Sequence, residues 1–312
     1  MNKNSFRFSI LFGLSLTFFN CASLLHKTGL TWERSRSDLS KQSLQVGEFK
    51  WVYLEGGEGK ETILTIHGFG GDKDHWTRFV RTLSDDYRII SPDLPGFGEN
   101  DRLPNQSYDI KHQVERLHEF VKSLGLKSFH IVGNSMGGAI AGYYAATYPE
   151  DVLSLTLINT AGVKSPVPSE LANLLQAGKP NPLLVGSVED FDRLLAFSFV
   201  KPPYIPGPLK TYFTNRAIQN RDWNEGIFTQ IRKDPFLLES VLNKIKAPTC
   251  IIWGKEDRII HVSSTEVLVK KIKSKQQLII LPEMGHAPMI ESPREVAEHW
   301  LKWQSNIAHS SP

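Results

Sequence analysis

Apolar and polar positions follow two different periods along this chain. Short, nearly continuous apolar runs recur at residues 62–66, 88–91, 129–132, 153–158, 249–253 and 278–281. Such runs predict strands, the one at 62–66 a buried strand. Residues 49–54 alternate at their start, as a half-buried strand does, and meet Glu55-Gly56-Gly57-Glu58-Gly59, a hairpin-like turn. Helical spacing fills the gaps. It covers residues 74–83 and 110–124, where Val114, Leu117, Phe120 and Val121 share a face. It returns at 139–146 and at 293–303, where Ser292 caps the start and Pro293 takes the first helical position. Strands alternating with helices predict an α/β fold, a mostly parallel twisted sheet with helices on both faces.

The alternation stops at about Val163. Residues 164–245 contain no apolar strand run and carry Pro166, Pro168, Pro180, Pro182, Pro202, Pro203, Pro206 and Pro208 between short helical pieces. They read as a helical insertion lying over the sheet. The core is thus expected in two parts, 46–163 and 246–305, with 306–312 as a tail. Aromatic residues of the insertion, including Phe197, Phe199, Tyr204, Tyr212, Phe213 and Trp223, are spaced as core residues as much as pocket residues.

The N-terminus has another pattern. Lys3 and Arg7 precede an apolar run over 8–19 that ends at Asn20-Cys21-Ala22-Ser23. The run is short for a bilayer span, which needs roughly 20 residues, and suits a signal-peptide core. A cysteine just past it resembles a bacterial lipoprotein signal, with residues 1–20 removed and Cys21 lipidated. Phe18-Phe19-Asn20 departs from the usual box, and an uncleaved anchor or plain secretion are the alternatives. Residues 21–45, polar and mixed in charge, are expected to be a lipidated tether that brings the domain to a membrane surface in the cell envelope.

Composition narrows the rest. The chain has 312 residues, 40% hydrophobic and 22% charged, as in a soluble globular domain. A net charge of +3 is too small to argue for nucleic acid. The basic run Lys270-Lys271-Ile272-Lys273-Ser274-Lys275 reads as the solvated end of a helix rather than a membrane patch. Cys250 lies inside an apolar run and reads as a buried small hydrophobe. With Cys21 lipidated no disulfide is available, metal-ligand spacing is absent, and no cofactor is implied. No protein partner is legible.

The chemistry centres on Gly133-Asn134-Ser135-Met136-Gly137-Gly138, between the run at 129–132 and a small-residue helix. Strand, sharp turn and helix are the context in which G-x-S-x-G marks a nucleophile. The turn leaves no room for side chains two residues before or after the serine, and it sets the Met136 N–H at a helix N-terminus as a donor for developing negative charge. Ser135 then needs a base and an acid. Asp257 follows the strand at 249–253, and His286 follows the strand at 278–281. His286 would take the serine proton and Asp257 would hold the imidazole tautomer. Glu256 is the alternative acid, with an exposed loop carboxylate as its plain reading. His67-Gly68-Phe69-Gly70-Gly71 follows the strand at 62–66, and the Phe69 N–H is the expected second oxyanion donor. His67 is expected to brace that loop, and Asp93-Leu94-Pro95-Gly96 to be a structural turn.

Over residues 46–305 these elements together resemble the α/β-hydrolase superfamily. The resemblance rests on His67-Gly68-Phe69-Gly70, Asp93-Leu94-Pro95-Gly96-Phe97-Gly98, the Ser135 hexapeptide, Asp257 and Gly285-His286. Lys73-Asp74-His75-Trp76, Ile252-Trp253-Gly254-Lys255-Glu256-Asp257 and Gly285-His286-Ala287-Pro288-Met289-Ile290-Glu291 are most similar to membrane-anchored monoacylglycerol lipases and related bacterial lipases and esterases. The resemblance implies a serine hydrolase of carboxylic esters, with acylglycerols as substrate, an acyl-enzyme intermediate and residues 164–245 as a cap over the acyl pocket. The rival is the carbon–carbon hydrolase family of ring-cleavage pathways, which shares Gly-Asn-Ser-Met-Gly-Gly but usually has tryptophan after the catalytic histidine, where Ala287 stands. Ser135 argues against the dehalogenases and epoxide hydrolases, which use an aspartate nucleophile. A cofactor-free haloperoxidase and a non-catalytic binding module are weaker readings, since no triad residue is lost.

Overall fold

A computed structural model describes residues 26–308. The expected signal peptide and Cys21 lie outside the described residues. Residues 26–35 form a helix, α1. Eight strands follow: β1 Leu39–Val46, β2 Phe49–Gly56, β3 Glu61–Ile66, β4 Tyr87–Pro92, β5 Phe129–Asn134, β6 Val152–Ile158, β7 Thr249–Gly254 and β8 Gln276–Leu281. They form one sheet in the order β1-β2-β4-β3-β5-β6-β7-β8. The pairs β1–β2 and β2–β4 are antiparallel, and every pair from β3–β4 through β7–β8 is parallel.

Two expectations are corrected at the N-terminal edge. The hairpin joins β1 to β2, not β2 to β3. Its turn is Gly47-Glu48, where Gly47 takes φ +55°. Glu55–Gly59 instead carries the chain from β2 to β3, two places apart in the sheet. The described part of the expected tether is folded. Arg34 reaches Asp74 through two hydrogen bonds of 2.7 Å, Glu33 pairs with Arg78 and Arg81, and the His26 ring stacks on Tyr212 at 4.1 Å. The signal that a tether was a poor reading was the charged pair Glu33 and Arg34, whose partners lie 40 and more residues away.

The period-two pattern of the strands divides the core. Leu64, Ile90, Ile131 and Ile251 point to one face, and pack with Leu117, Phe120, Ile140 and Tyr144 of helices α3 (Ile110–Ser123) and α4 (Met136–Thr147). Their neighbours Ile63, Ile89, Val132 and Ile252 point to the other face. There they meet Phe79 of α2 (Thr77–Val80) and Val296 and Trp300 of the C-terminal helix Pro293–Ala308. Cys250 is in this second cluster, and burial pushes its thiol up to about 12. Each fully buried aliphatic side chain contributes about 1.5–3 kcal/mol of transfer free energy, so the central strands are the rigid frame for whatever their C-terminal ends carry.

Between β6 and β7 lie helices α5 (Glu170–Gln176), α6 (Val188–Ser198), α7 (Gly207–Gln219) and α8 (Arg221–Ile231), followed by two 3-10 turns and no strand. Ser169 and Ser187 cap α5 and α6 by accepting from Ala172 N and Asp190 N. Among the described residues no helix is long and apolar enough to cross a membrane.

Candidate active site

The predicted residues all lie beyond the C-terminal ends of parallel strands, where ligands bind in open α/β sheets. Ser135 stands between β5 and α4 with φ 57° and ψ −122°, a sparsely populated conformation for a non-glycine residue. The flanking glycines explain how it is held. A Cβ on Gly133 would sit 2.2 Å from Gly137 O, and one on Gly137 would sit 2.2 Å from Ile66 O. The Ser135 amide donates to Ile158 O at 3.0 Å, and its carbonyl accepts from Ala139 N and Ala161 N. The strained residue is therefore fixed by backbone on both sides.

Asp257 and His286 are brought together. His286 Nδ1 is 2.8 Å from Asp257 Oδ2, and both residues are buried. Asp257 Oδ1 accepts from Ile259 N at 2.8 Å and Ile260 N at 3.0 Å. With Asp257 accepting, the proton sits on Nδ1 and leaves Nε2 free as the base. Ser135 and His286 are not hydrogen-bonded to each other here; a nucleophile and its base commonly close to bonding distance only when substrate binds. Glu256 has a separate task, accepting from Met284 N at 3.2 Å.

Neither the Phe69 nor the Met136 amide donates a hydrogen bond among the described residues. Met136 is the first residue of α4, where an amide has no partner within its helix. The Phe69 loop lies against the nucleophile, since a Cβ on Gly68 would sit 3.2 Å from Ser135 Cβ. His67 braces this loop. Its Nδ1–H donates to Gly68 O at 2.8 Å, and its Nε2 accepts from Leu94 N at 3.0 Å. Burial lowers the ring pKa to about 4, so the imidazole stays neutral in that role.

Asp93 belongs to the scaffold. Its carboxylate accepts from Lys73 Nζ, Lys73 N and Glu99 N, each at 2.8 Å. Burial alone would lower the Lys73 pKa, but the carboxylates of Asp93 and Asp74 outweigh it and hold the ammonium above its usual range.

Four residues of the site were not singled out from sequence. Asn159, at the end of β6 with φ 45°, donates from Nδ2 to Asp257 Oδ2 at 2.7 Å and accepts at Oδ1 from Gly254 N. Asn134 donates to Ile158 O at 3.1 Å and to His286 O at 3.0 Å, which ties the serine turn to the histidine loop. Glu291 accepts from Gly285 N at 2.9 Å and Lys201 N at 2.6 Å, and His286 N donates to Ser198 O at 2.8 Å. The histidine loop is thereby joined to the insertion. Phe228 of α8 packs edge-on against Phe69 at 5.4 Å. For Asn134 and Asn159 the signal was position, an amide side chain at each strand end beside the nucleophile. Phe228 and the Lys201 partner of Glu291 give no local signal, because they come from distant segments.

The chain matches the family described as alpha/beta hydrolase fold over residues 61–293. It is 40% identical over 281 residues to Lipase 1 of Psychrobacter immobilis, covering 88% of this chain and 87% of that protein. It is 36% identical to a monoacylglycerol lipase of Xenopus laevis, covering 88% of this chain and 85% of the other. Among solved structures it is similar to a membrane phospholipase A described as a bacterial virulence factor, with a TM-score of 0.90 and 42% identity over 98% of this chain and 99% of the other. The fold, the strand order and these relatives agree, and the chain belongs to the α/β-hydrolase family.

Proposed function

We propose that this protein cleaves acylglycerol esters through a Ser135-His286-Asp257 triad and an acyl-enzyme. The chain is a carboxylic ester hydrolase, in keeping with relatives named lipase and monoacylglycerol lipase. The observation that carries the finer reading is the 2.8 Å His286–Asp257 hydrogen bond beside a serine held in a strained strand-to-helix turn.

In the first step Ser135 Oγ attacks the ester carbonyl while His286 Nε2 takes its proton. Asp257 offsets the charge that develops on the imidazole. The carbonyl oxygen becomes an oxyanion and draws on the unengaged amides of Phe69 and Met136. Collapse of the tetrahedral intermediate breaks the bond to the glycerol oxygen, which leaves with the proton from His286. Water then attacks the acyl-serine by the same route, releases the fatty acid and restores Ser135. No step requires a metal or an organic cofactor.

The same reading puts the enzyme at a membrane surface through lipidated Cys21. The described chain is folded from residue 26, five positions after Cys21 in the sequence. Two or more acyl chains anchor stably where one does not. The test of substrate class is a panel of acyl esters of increasing chain length with a ring-cleavage dienoate included. Preference for acylglycerols supports the reading, and preference for the dienoate transfers the chain to the carbon–carbon hydrolases.

A further inference from the structure

We propose that the cavity among α5, α6 and α8 is an anion site that holds the phosphate headgroup of an acyl lipid while its ester is cleaved at Ser135; this rests on the ester-hydrolase reading above. The cavity has a volume of about 740 Å³. Five cationic side chains line it, Lys179, Arg193, Arg221, Arg232 and Lys233, against the two carboxylates of Asp190 and Glu225. Asp190 is already engaged by Arg193 at 2.8 Å and by Gly186 N at 3.0 Å, and Glu225 lies 3.4 Å from Arg221. Lys179, Arg232 and Lys233 have no ion-pair partner among the described residues. A concave wall with surplus positive charge concentrates anions, and arginine forks fit phosphate oxygens in pairs.

A second observation points to an acceptor in the same place. Asn181 lines the cavity, and its Oδ1 accepts from Leu183 N at 3.0 Å, which fixes the amide orientation. Its Nδ2 is shielded from solvent and has no hydrogen-bond partner. A buried donor left unpaired is costly, and a turn of the side chain toward the cavity would let a phosphate oxygen satisfy it.

Position relates the cavity to the chemistry. Arg221, Glu225, Phe228 and Thr229 form one stripe of α8, continued by Arg232 at its C-terminal cap, and face the cavity. The Phe228 ring meets Phe69, whose amide is the expected oxyanion donor. On the other side of α8, Trp223 Nε1 donates to Gly96 O at 2.9 Å and Ile227 is buried, which seats the helix on the core. No triad residue lines the cavity. It therefore suits a part of the substrate that does not react, and binding there can still assist the reaction by positioning the ester. A neutral monoacylglycerol has nothing to place in it.

The test compares a monoacylglycerol with the monoacylglycerol phosphate of the same acyl chain, in the same neutral micelles, for the full-length wild type and the R221Q/R232Q double variant. The ratio of kcat/KM for the phosphate ester to that for the neutral ester is expected to fall at least about tenfold in the variant, mainly through KM, since charge-assisted hydrogen bonds are lost. Arg232→Gln alone, which breaks no ion pair among the described residues, serves if the double variant does not fold. Inorganic phosphate is expected to compete against the phosphate ester and to spare the neutral one. An unchanged ratio overturns the proposal. Equal inhibition of both substrates by inorganic phosphate, with the ratio unchanged in the variant, would mark a free-phosphate site and overturn the headgroup assignment. Wild type that cleaves neither ester overturns the ester-hydrolase reading itself, whereas wild type that cleaves both at an unchanged ratio overturns only the headgroup site.

Discussion

Asn159 Nδ2 donates at 2.7 Å to Asp257 Oδ2, the oxygen that also accepts from His286 Nδ1 at 2.8 Å. The acid that orients the base is itself oriented from the strand next to the nucleophile strand. With Ile259 N and Ile260 N on Oδ1, both carboxylate oxygens are held as acceptors. An acid fixed in this way keeps its partner in one tautomer.

His286→Ala and Asp257→Asn should each lower kcat by a factor of about 10³ or more, and the double variant should be little worse, because the residues act as one unit. Asn159→Ala should cost less, about tenfold, and mainly in kcat. Steady-state kinetics on a short acyl ester check all four. Losses that simply multiply in the double variant would show that His286 and Asp257 are not coupled.

Glu291→Gln keeps the shape of the carboxylate and loses its charge and one acceptor. Its two amide partners, Gly285 N and Lys201 N, sit beside the catalytic histidine and in the insertion. The variant should lower kcat several-fold and loosen the segment after α6, read as faster amide exchange at Gly285 and Lys201. Unchanged exchange at both amides would show that the carboxylate does not hold them.

His67 gives a stability prediction with a definite sign. Its folded-state pKa is lowered from 6.5 to about 4 by burial. The unfolded state therefore binds the proton more readily, and the stability is fully present above pH about 6.5 and is lost as pH falls toward 4. At 1.36 kcal/mol per unit the loss is about 3 kcal/mol. The fall in thermal midpoint between pH 6.5 and 4 should be shallower in His67→Asn than in wild type, although the variant is less stable at neutral pH. Parallel curves for the two proteins would remove His67 from the account.

Mass spectrometry of the membrane-bound protein should find a mature N-terminus at Cys21 carrying lipid, and Cys21→Ser should abolish processing. A chain beginning at residue 26 should be soluble and active on short esters. One beginning at residue 38 loses the contacts of Arg34 with Asp74 and of His26 with Tyr212. It should be less stable by roughly 1–3 kcal/mol, the scale of a charge-assisted hydrogen bond. An intact Met1 on the bound form would instead establish an uncleaved anchor.

Much of the frame was legible because local signals agreed. Apolar runs gave β3 to β8, and Gly133 and Gly137 marked a turn that sterics demand. Ser135, Asp257 and His286 could be read because each follows a strand in a fixed order. The N-terminal edge was misread where a polar stretch hid a helix, since the partners of Arg34 and Glu33 lie far along the chain. β1 was hidden for a related reason: only Leu39 and Val46 of its eight residues are buried, at its two ends. The cap cavity was invisible in sequence, because its cations come from α6, α8 and the segments that follow α5 and α8, and only packing brings them to one wall.

The central claim is that Ser135 carries the acyl group. Wild type mixed with a monoacylglycerol, quenched in acid within the first turnover and digested, should yield the Ser135 peptide heavier by the mass of the fatty acid less one water. Ser135→Ala should yield no adduct and almost no fatty acid. An adduct on another residue, or fatty acid released by Ser135→Ala at the wild-type rate, would contradict the account.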